Sequence, residues 1–143
     1  MPYEFLEDVA TADIAFRAWG KDLEETFIAA AEATMNVMVE ELDSIRPRER
    51  REFKLEDDAL DMLLLNFLQE LIYYKDAERL LLRVNQVEIK GENQHQILEA
   101  TAVGEKLDPG CHRTRVDVKA VTLHRFRLEK TDQGWEVFVI LDI

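Results

Sequence analysis

Trp135-Glu-Val-Phe-Val-Ile-Leu-Asp-Ile143 decides the reading of the fold. Almost wholly apolar and rich in β-branched and aromatic residues, it suits a strand buried on both faces, in the middle of a sheet. The run ends on Asp142 with Ile143 after it, so the strand is expected to deliver the Asp142 carboxylate and the α-carboxylate of Ile143 to one place. Oxygen donors at such short spacing suit a hard cation.

The stretch before it, Val121 to Lys130, reads as a second strand, and Thr131-Asp132-Gln133-Gly134 as the turn between them. A three-residue loop of Asp132, Gln133 and Gly134 predicts Thr131 opposite Trp135. Counting outward sets Lys130 against Glu136, Leu128 against Phe138, Phe126 against Ile140 and His124 against Asp142, all on one face. That register matches charge with charge and apolar with apolar, and it brings an imidazole beside the carboxylates.

Upstream, Tyr3-Glu-Phe-Leu6 is a short strand and Asp13 to Trp19 another, with Ile14, Phe16 and Ala18 alternating against Ala15, Arg17 and Trp19. Gly20 ends it. Asp22 with Glu25 three residues on makes a capping box for an amphipathic helix over residues 23–42. Asp43 to Arg51 reads as a charged connection whose Arg46, Arg48, Arg50 and Arg51 form the chain's basic cluster, a solvated linker more readily than an RNA contact. Glu52 to Leu55 is a strand. Asp58 is expected to cap a second helix, residues 59–75, which is apolar nearly all round and leaves Asn66, Gln69, Glu70 and Tyr73 as a narrow polar arc. Such a helix must be covered on more than one side, which favours helices held between two sheets. Residues 80–90 and 94–106 follow as strands joined at Gly91-Glu92-Asn93, then a turn at Leu107-Asp-Pro-Gly110 and a polar, exposed stretch from Cys111 to Asp117. Strands and helices mix without βαβ alternation, so the class is α+β.

Length and composition set the bounds. A chain of 143 residues with 47% apolar residues is expected to be a single domain with a proper core. A formal net charge of -12 and a sequence pI near 4.7 argue against strong direct nucleic-acid binding and toward cations or a basic protein surface. The single Cys111 makes no internal disulfide. No apolar run is long enough for a bilayer and no signal-peptide pattern opens the chain, so a soluble cytoplasmic protein is expected.

The chain has no phosphate-binding glycine loop, zinc-type Cys/His spacing or nucleophile elbow. What remains is carboxylates near strand ends: Asp8 and Asp13 early, Asp142 and Ile143 late, with His124 expected nearby. Oxygen donors suit Mg²⁺, Ca²⁺ or Mn²⁺, and an imidazole tilts the preference toward Mn²⁺ or Zn²⁺. Solvated acids at strand ends of an acidic protein would give the same pattern. A stand-alone metal-dependent phosphoester hydrolase would gather more acids and often two metals. A chaperone-like interaction module needs only the acidic surface.

Four segments in order carry a resemblance: Tyr3-Glu-Phe-Leu-Glu7 with Thr11-Ala-Asp-Ile14 and Ala18-Trp-Gly-Lys-Asp-Leu-Glu-Glu-Thr-Phe27; Asn66-Phe-Leu-Gln-Glu-Leu-Ile-Tyr73; Val118-Lys-Ala-Val-Thr-Leu-His124; and Val137-Phe-Val-Ile-Leu-Asp-Ile143. Together they resemble the archease family along essentially the whole chain. The resemblance implies a three-layer β/α/β sandwich, with two long helices between mainly antiparallel sheets. It implies a metal-binding accessory protein, not an enzyme, for the GTP-dependent RNA-splicing ligase of RtcB type. Such a protein promotes ligase guanylylation and multiple turnover in tRNA splicing, and meets GTP and tRNA only through the ligase. Position by position, the ligands of one divalent ion would be Asp13, Asp142 and Ile143, and Lys119 and His124 match the family's lysine and histidine. The family's histidine before Thr-Ala-Asp is replaced here by Ala10, so either a contact at the ion is missing or Asp8 compensates.

Overall fold

The computed structural model describes residues 2–6 and 13–143. In chain order the elements are β1 (Tyr3–Leu6), β2 (Asp13–Gly20), α1 (Leu23–Met38), β3 (Glu49–Asp57), α2 (Leu60–Glu78), β4 (Leu80–Glu92), β5 (His95–Lys106), β6 (Ala120–Val121), β7 (Arg127–Thr131) and β8 (Gly134–Asp142), with a short 3-10 turn at Leu42–Ser44. Strands β1, β2, β8 and β6 pair in that order, β7 joins β8 on the same side as β6, and β3, β5 and β4 make a second sheet. All pairings are antiparallel. The two helices lie between the sheets, α1 against β2, β8 and β4, and α2 against β3, β4, β5, β6 and β7. The expected α+β arrangement of helices between antiparallel sheets is the one observed.

Periodicity explains the layers. On β2, Phe16 and Ala18 are buried and Ile14 packs on the core, while Arg17 and Trp19 take the other face. On β8, Val137, Val139 and Leu141 enter the same core. Helix α1 starts where the sequence says: the Asp22 carboxylate accepts from Glu25 N–H at 2.8 Å, and Glu25 reaches back to Lys21 N–H at 3.0 Å. Helix α2 buries Leu63, Leu64, Leu65, Phe67, Leu68, Leu71 and Ile72, and its expected polar arc faces outward. Gln69 of that arc accepts from Val121 N–H at 2.8 Å.

Several boundaries differ from expectation, each for a local reason. Helix α1 ends at Met38, four residues early, because Val39 leaves to bridge Thr114 while Asn36 donates to the carbonyls of Val39 and Glu40. Helix α2 is capped not by Asp58 but beside Ala59, whose N–H Asp57 accepts at 3.0 Å; Asp58 instead meets His95 at 2.7 Å. Strand β3 begins at Glu49, so Arg50 and Arg51 lie in a strand, and the arginines form no solvated linker. Arg46 and Arg48 pair with Glu105 at 3.1 and 3.2 Å, and Arg51 with Glu78 at 2.9 Å. The β4–β5 turn falls at Asn93-Gln94, both at positive φ, in place of Gly91-Glu92-Asn93.

The hairpin between β7 and β8 is one residue out of the expected register. Thr131 faces Gly134, Lys130 faces Trp135, Glu129 faces Glu136 and Leu128 faces Val137. The loop is the two residues Asp132 and Gln133, and Gly134 opens β8 at φ +143°, where a Cβ would come within 2.0 Å of the Gly20 carbonyl oxygen. Burial fixes this register: Leu128 joins Val137 on the core side, and the facing glutamates are neutralised separately by Arg127 and Arg17. Nor does the strand run unbroken from Val121 to Lys130, because it leaves the sheet between β6 and β7.

Candidate metal centre at the end of the central strand

Strand β2 begins where β8 ends, and the register sets Asp13 directly opposite Asp142. The Asp142 carbonyl turns to the other neighbour, accepting from Lys119 N–H at 2.8 Å. Toward β2 the two aspartates therefore form the non-hydrogen-bonded kind of pair, with Cα atoms about 4.5 Å apart and side chains close on one face. Both are partly buried, as is Ile143, which follows immediately and packs against the core. Two carboxylates and a neighbouring main-chain oxygen are a hard, oxygen-only donor set, which fits Ca²⁺, Mg²⁺ or Mn²⁺. Among the described residues, no three or more His, Cys, Asp or Glu side chains gather as metal ligands, so the set depends on Ile143. Asp8 and Ala10 lie outside the described residues.

Lys119 stands beside this pair through its backbone bond to Asp142, next to Ala120, which is the residue opposite Asp142. His124 is not opposite Asp142. The chain leaves β6 after Val121, Thr122 N–H still reaches the Ile140 carbonyl at 3.0 Å, and the strand resumes only with Arg127 opposite Phe138. His124 lies on the exposed excursion between. The expected register that set an imidazole opposite Asp142 is therefore not the one observed.

A second polar cluster escaped the sequence reading. His112, expected on an exposed stretch, is 2% exposed. Its Nδ1 accepts from Asp108 N–H at 2.9 Å and its Nε2 donates to Glu105 at 2.8 Å, an arrangement that fixes the neutral tautomer. Glu105, 4% exposed, also accepts from the Arg46 backbone N–H and guanidinium. Burial alone would raise its pKa, but the Arg46 backbone N–H, the Arg46 side chain and His112 together outweigh it and hold the carboxyl at about 2. This network ties the segment before β3 to the end of β5, with His112 and Glu105 buried at its centre. An open groove of about 960 Å³ runs along α1 past Trp19, Glu32, Arg83 and Trp135. Its Arg83 is already paired with Glu32 at 2.6 Å and Asp43 at 3.0 Å, and Arg17 with Glu136 at 3.1 Å. The groove is the weaker candidate, and the β2–β8 end the stronger.

Comparison with known proteins is consistent along the whole chain. Residues 3–143 match the family described as the Archease protein family (MTH1598/TM1083). "Protein archease" of Pyrococcus abyssi is 40% identical over 134 residues, covering 93% of this chain and 94% of the relative. That of Methanosarcina mazei is 38% identical over 142 residues, covering 99% and 95%. The solution structure of Methanobacterium thermoautotrophicum protein 1598 superposes with a TM-score of 0.86 at 34% identity, covering 99% of each chain. The crystal structure of an archease from Thermotoga maritima, described as a possible chaperone, shares the fold at a TM-score of 0.59 and 19% identity, over 94% of this chain and 93% of that one. On sequence, length and architecture together, the chain belongs to the archease family.

Proposed function

We propose that this protein is a metal-binding activator of the GTP-dependent RNA-splicing ligase of RtcB type, acting in the cytoplasm in tRNA splicing, and not an enzyme itself. The observation that carries the reading is Asp13 in register with Asp142, beside Ile143. Two carboxylates held opposite each other repel, and a shared cation relieves the repulsion. One divalent ion would be held by the Asp13 and Asp142 side chains and the main-chain oxygen of Ile143; when bound it supplies stabilisation of charge on transferring phosphoryl oxygens. Asp13 and Asp142 bind and orient it at the rim of the fold, where it faces the mouth of the ligase active site. Lys119, exposed beside them, contacts the nucleotide or a ligase carboxylate. His124 reaches the ligase surface from the neighbouring excursion. GTP and tRNA are met only through the ligase.

The direct test is cognate ligase with GTP and metal, with and without this protein: faster and repeated guanylylation is expected, and unchanged guanylylation refutes the role. Asp142→Ala is expected to stay folded while losing metal binding and stimulation together. The description of the Thermotoga archease as a possible chaperone favours a second reading, a metal-independent interaction module. Ligase binding that survives a chelator undiminished would support it.

A further inference from the structure

We propose that the excursion Leu123–Phe126 is a docking knob that inserts into an apolar pocket rimmed by acidic residues on the protein partner. With that partner taken as the RNA ligase, the inference rests on the function proposed above. Leu123 is 65% exposed, the most exposed large apolar side chain among the described residues. The turn that carries it has a fixed shape. Phe126 N–H closes it onto the Leu123 carbonyl at 3.2 Å, and the Phe126 ring packs against the core. Arg125 takes the left-handed conformation at φ 56°, uncommon for a residue with a Cβ, and its guanidinium lies 5.0 Å from the centre of the Phe138 ring on the outer face of the sheet. Strained backbone held by its surroundings, at a break in a strand beside a candidate site, is where folds re-aim side chains for function. A crest already shaped in the free protein loses little freedom on docking.

Charge indicates what the crest meets. Six of the chain's 18 Lys and Arg residues fall between Arg113 and Lys130, against two of its 30 Asp and Glu. Arg115, Lys119, Arg125 and Lys130 are all exposed. An acidic chain thus carries a basic segment here, and Leu123 stands within it. A phosphate backbone would explain the charge, but it gives an exposed leucine nothing to contact and would run on over an acidic surface. An apolar side chain among arginines has the make-up of a protein interface, whose centre is apolar and whose arginines are enriched. The excursion leaves the sheet at Thr122, opposite Ile140 and two residues from Asp142 on β8, so docking there would turn the carboxylates toward the same partner.

The experiment titrates cognate ligase with the wild-type chain, Leu123→Ser, Leu123→Met and Arg125→Glu, with and without RNA, and records thermal melts and Ca²⁺ binding for each. Leu123→Ser should weaken ligase binding about tenfold, from the loss of one buried leucine, while leaving the melt and Ca²⁺ binding unchanged. Leu123→Met should restore most of the affinity. Arg125→Glu should weaken binding further and reduce its salt dependence. Wild-type affinity for Leu123→Ser, with stimulation by the wild-type chain intact, overturns the knob and leaves the proposed function standing. A loss seen only with RNA present assigns the segment to nucleic acid and likewise overturns it. A wild-type chain that neither binds nor stimulates the ligase overturns both.

Discussion

Replacing Asp142 by Asn should stabilise the protein without metal and destabilise it, relative to the wild type, with metal. Asn keeps the volume and the hydrogen-bonding capacity of the side chain and removes one of two charges facing each other across β2 and β8. Opposite side chains in such a pair approach to about 5 Å, where two unit charges repel by roughly 1 to 3 kcal/mol at an effective dielectric constant between about 80 and 20. Salt and partial exposure bring this toward the lower figure, so metal-free Asp142→Asn should gain about 1 kcal/mol. For a chain of this length that raises the melting temperature by roughly 4 °C. Saturating Ca²⁺ at about 100 times its dissociation constant stabilises the wild type by about 2.7 kcal/mol, or roughly 10 °C, and the variant, short of one ligand, by much less. The order of stability thus inverts between chelator and Ca²⁺. Differential scanning fluorimetry of both proteins in EDTA and in a Ca²⁺ series measures it directly. A variant less stable than wild type in EDTA, or shifted equally by Ca²⁺, would refute the shared-cation reading of the pair.

The other predictions concern the frame around the site. Gly134→Ala should cost roughly 3 kcal/mol, because φ +143° is closed to alanine and its Cβ would fall 2.0 Å from the Gly20 carbonyl oxygen; a change within about 0.5 kcal/mol by urea denaturation would show that the hairpin adjusts. His112→Ala should cost about 2–4 kcal/mol, since it opens a buried cavity and strips partners from Glu105 and from Asp108 N–H; urea denaturation of this variant measures that too. Glu105 titrates near 2 when folded against an ordinary 4.5, so its stabilisation is complete above about 4.5 and is lost as pH falls from there through about 2. Glu105→Gln should flatten that acid limb in melts recorded against pH, and an unchanged limb would remove Glu105 from the cause.

What was legible in the sequence is what a single period or a local hydrogen bond decides. The apolar run from Val137 to Leu141 marked the central strand, the alternation at Ile14, Phe16 and Ala18 marked its partner, and Asp22 with Glu25 marked a helix start. The all-round apolar second helix announced a sheet on each side. The register of the last hairpin was not legible, because Asp132-Gln133-Gly134 suits a three-residue loop. What holds Gly134 in the strand instead is the close passage of Gly20, which lies far off in the sequence. The break after Val121 has neither Gly nor Pro to signal it, since Arg125 itself takes the left-handed position. His112 looked exposed beside Pro109 and Gly110, and only the fold closes it over Glu105.

The break after Val121 bears on the site. Between Arg127 opposite Phe138 and Val121 opposite Leu141, one strand advances six residues while β8 advances three. Were the strand unbroken, β7's register continued to the end of β8 would place Leu123 against Asp142; three residues loop out of the sheet instead. With them, Ala120 stands there, and Lys119 N–H reaches the Asp142 carbonyl. One insertion therefore removes His124 from the carboxylates, lifts Leu123 to the crest of a turn, and puts a small residue and a lysine next to the proposed cation seat. Deleting three residues of the excursion while keeping β7 and β8 paired would close the break and remove the crest, yet leave Ala120 opposite Asp142 and Lys119 N–H on its carbonyl. In this sequence the break is thus what keeps Ala120 and Lys119 beside the carboxylates, and its crest is the proposed contact to the partner. On this account, deleting Leu123–Arg125 should weaken ligase binding while Asp13 and Asp142 still bind Ca²⁺; wild-type ligase affinity in that variant would refute it.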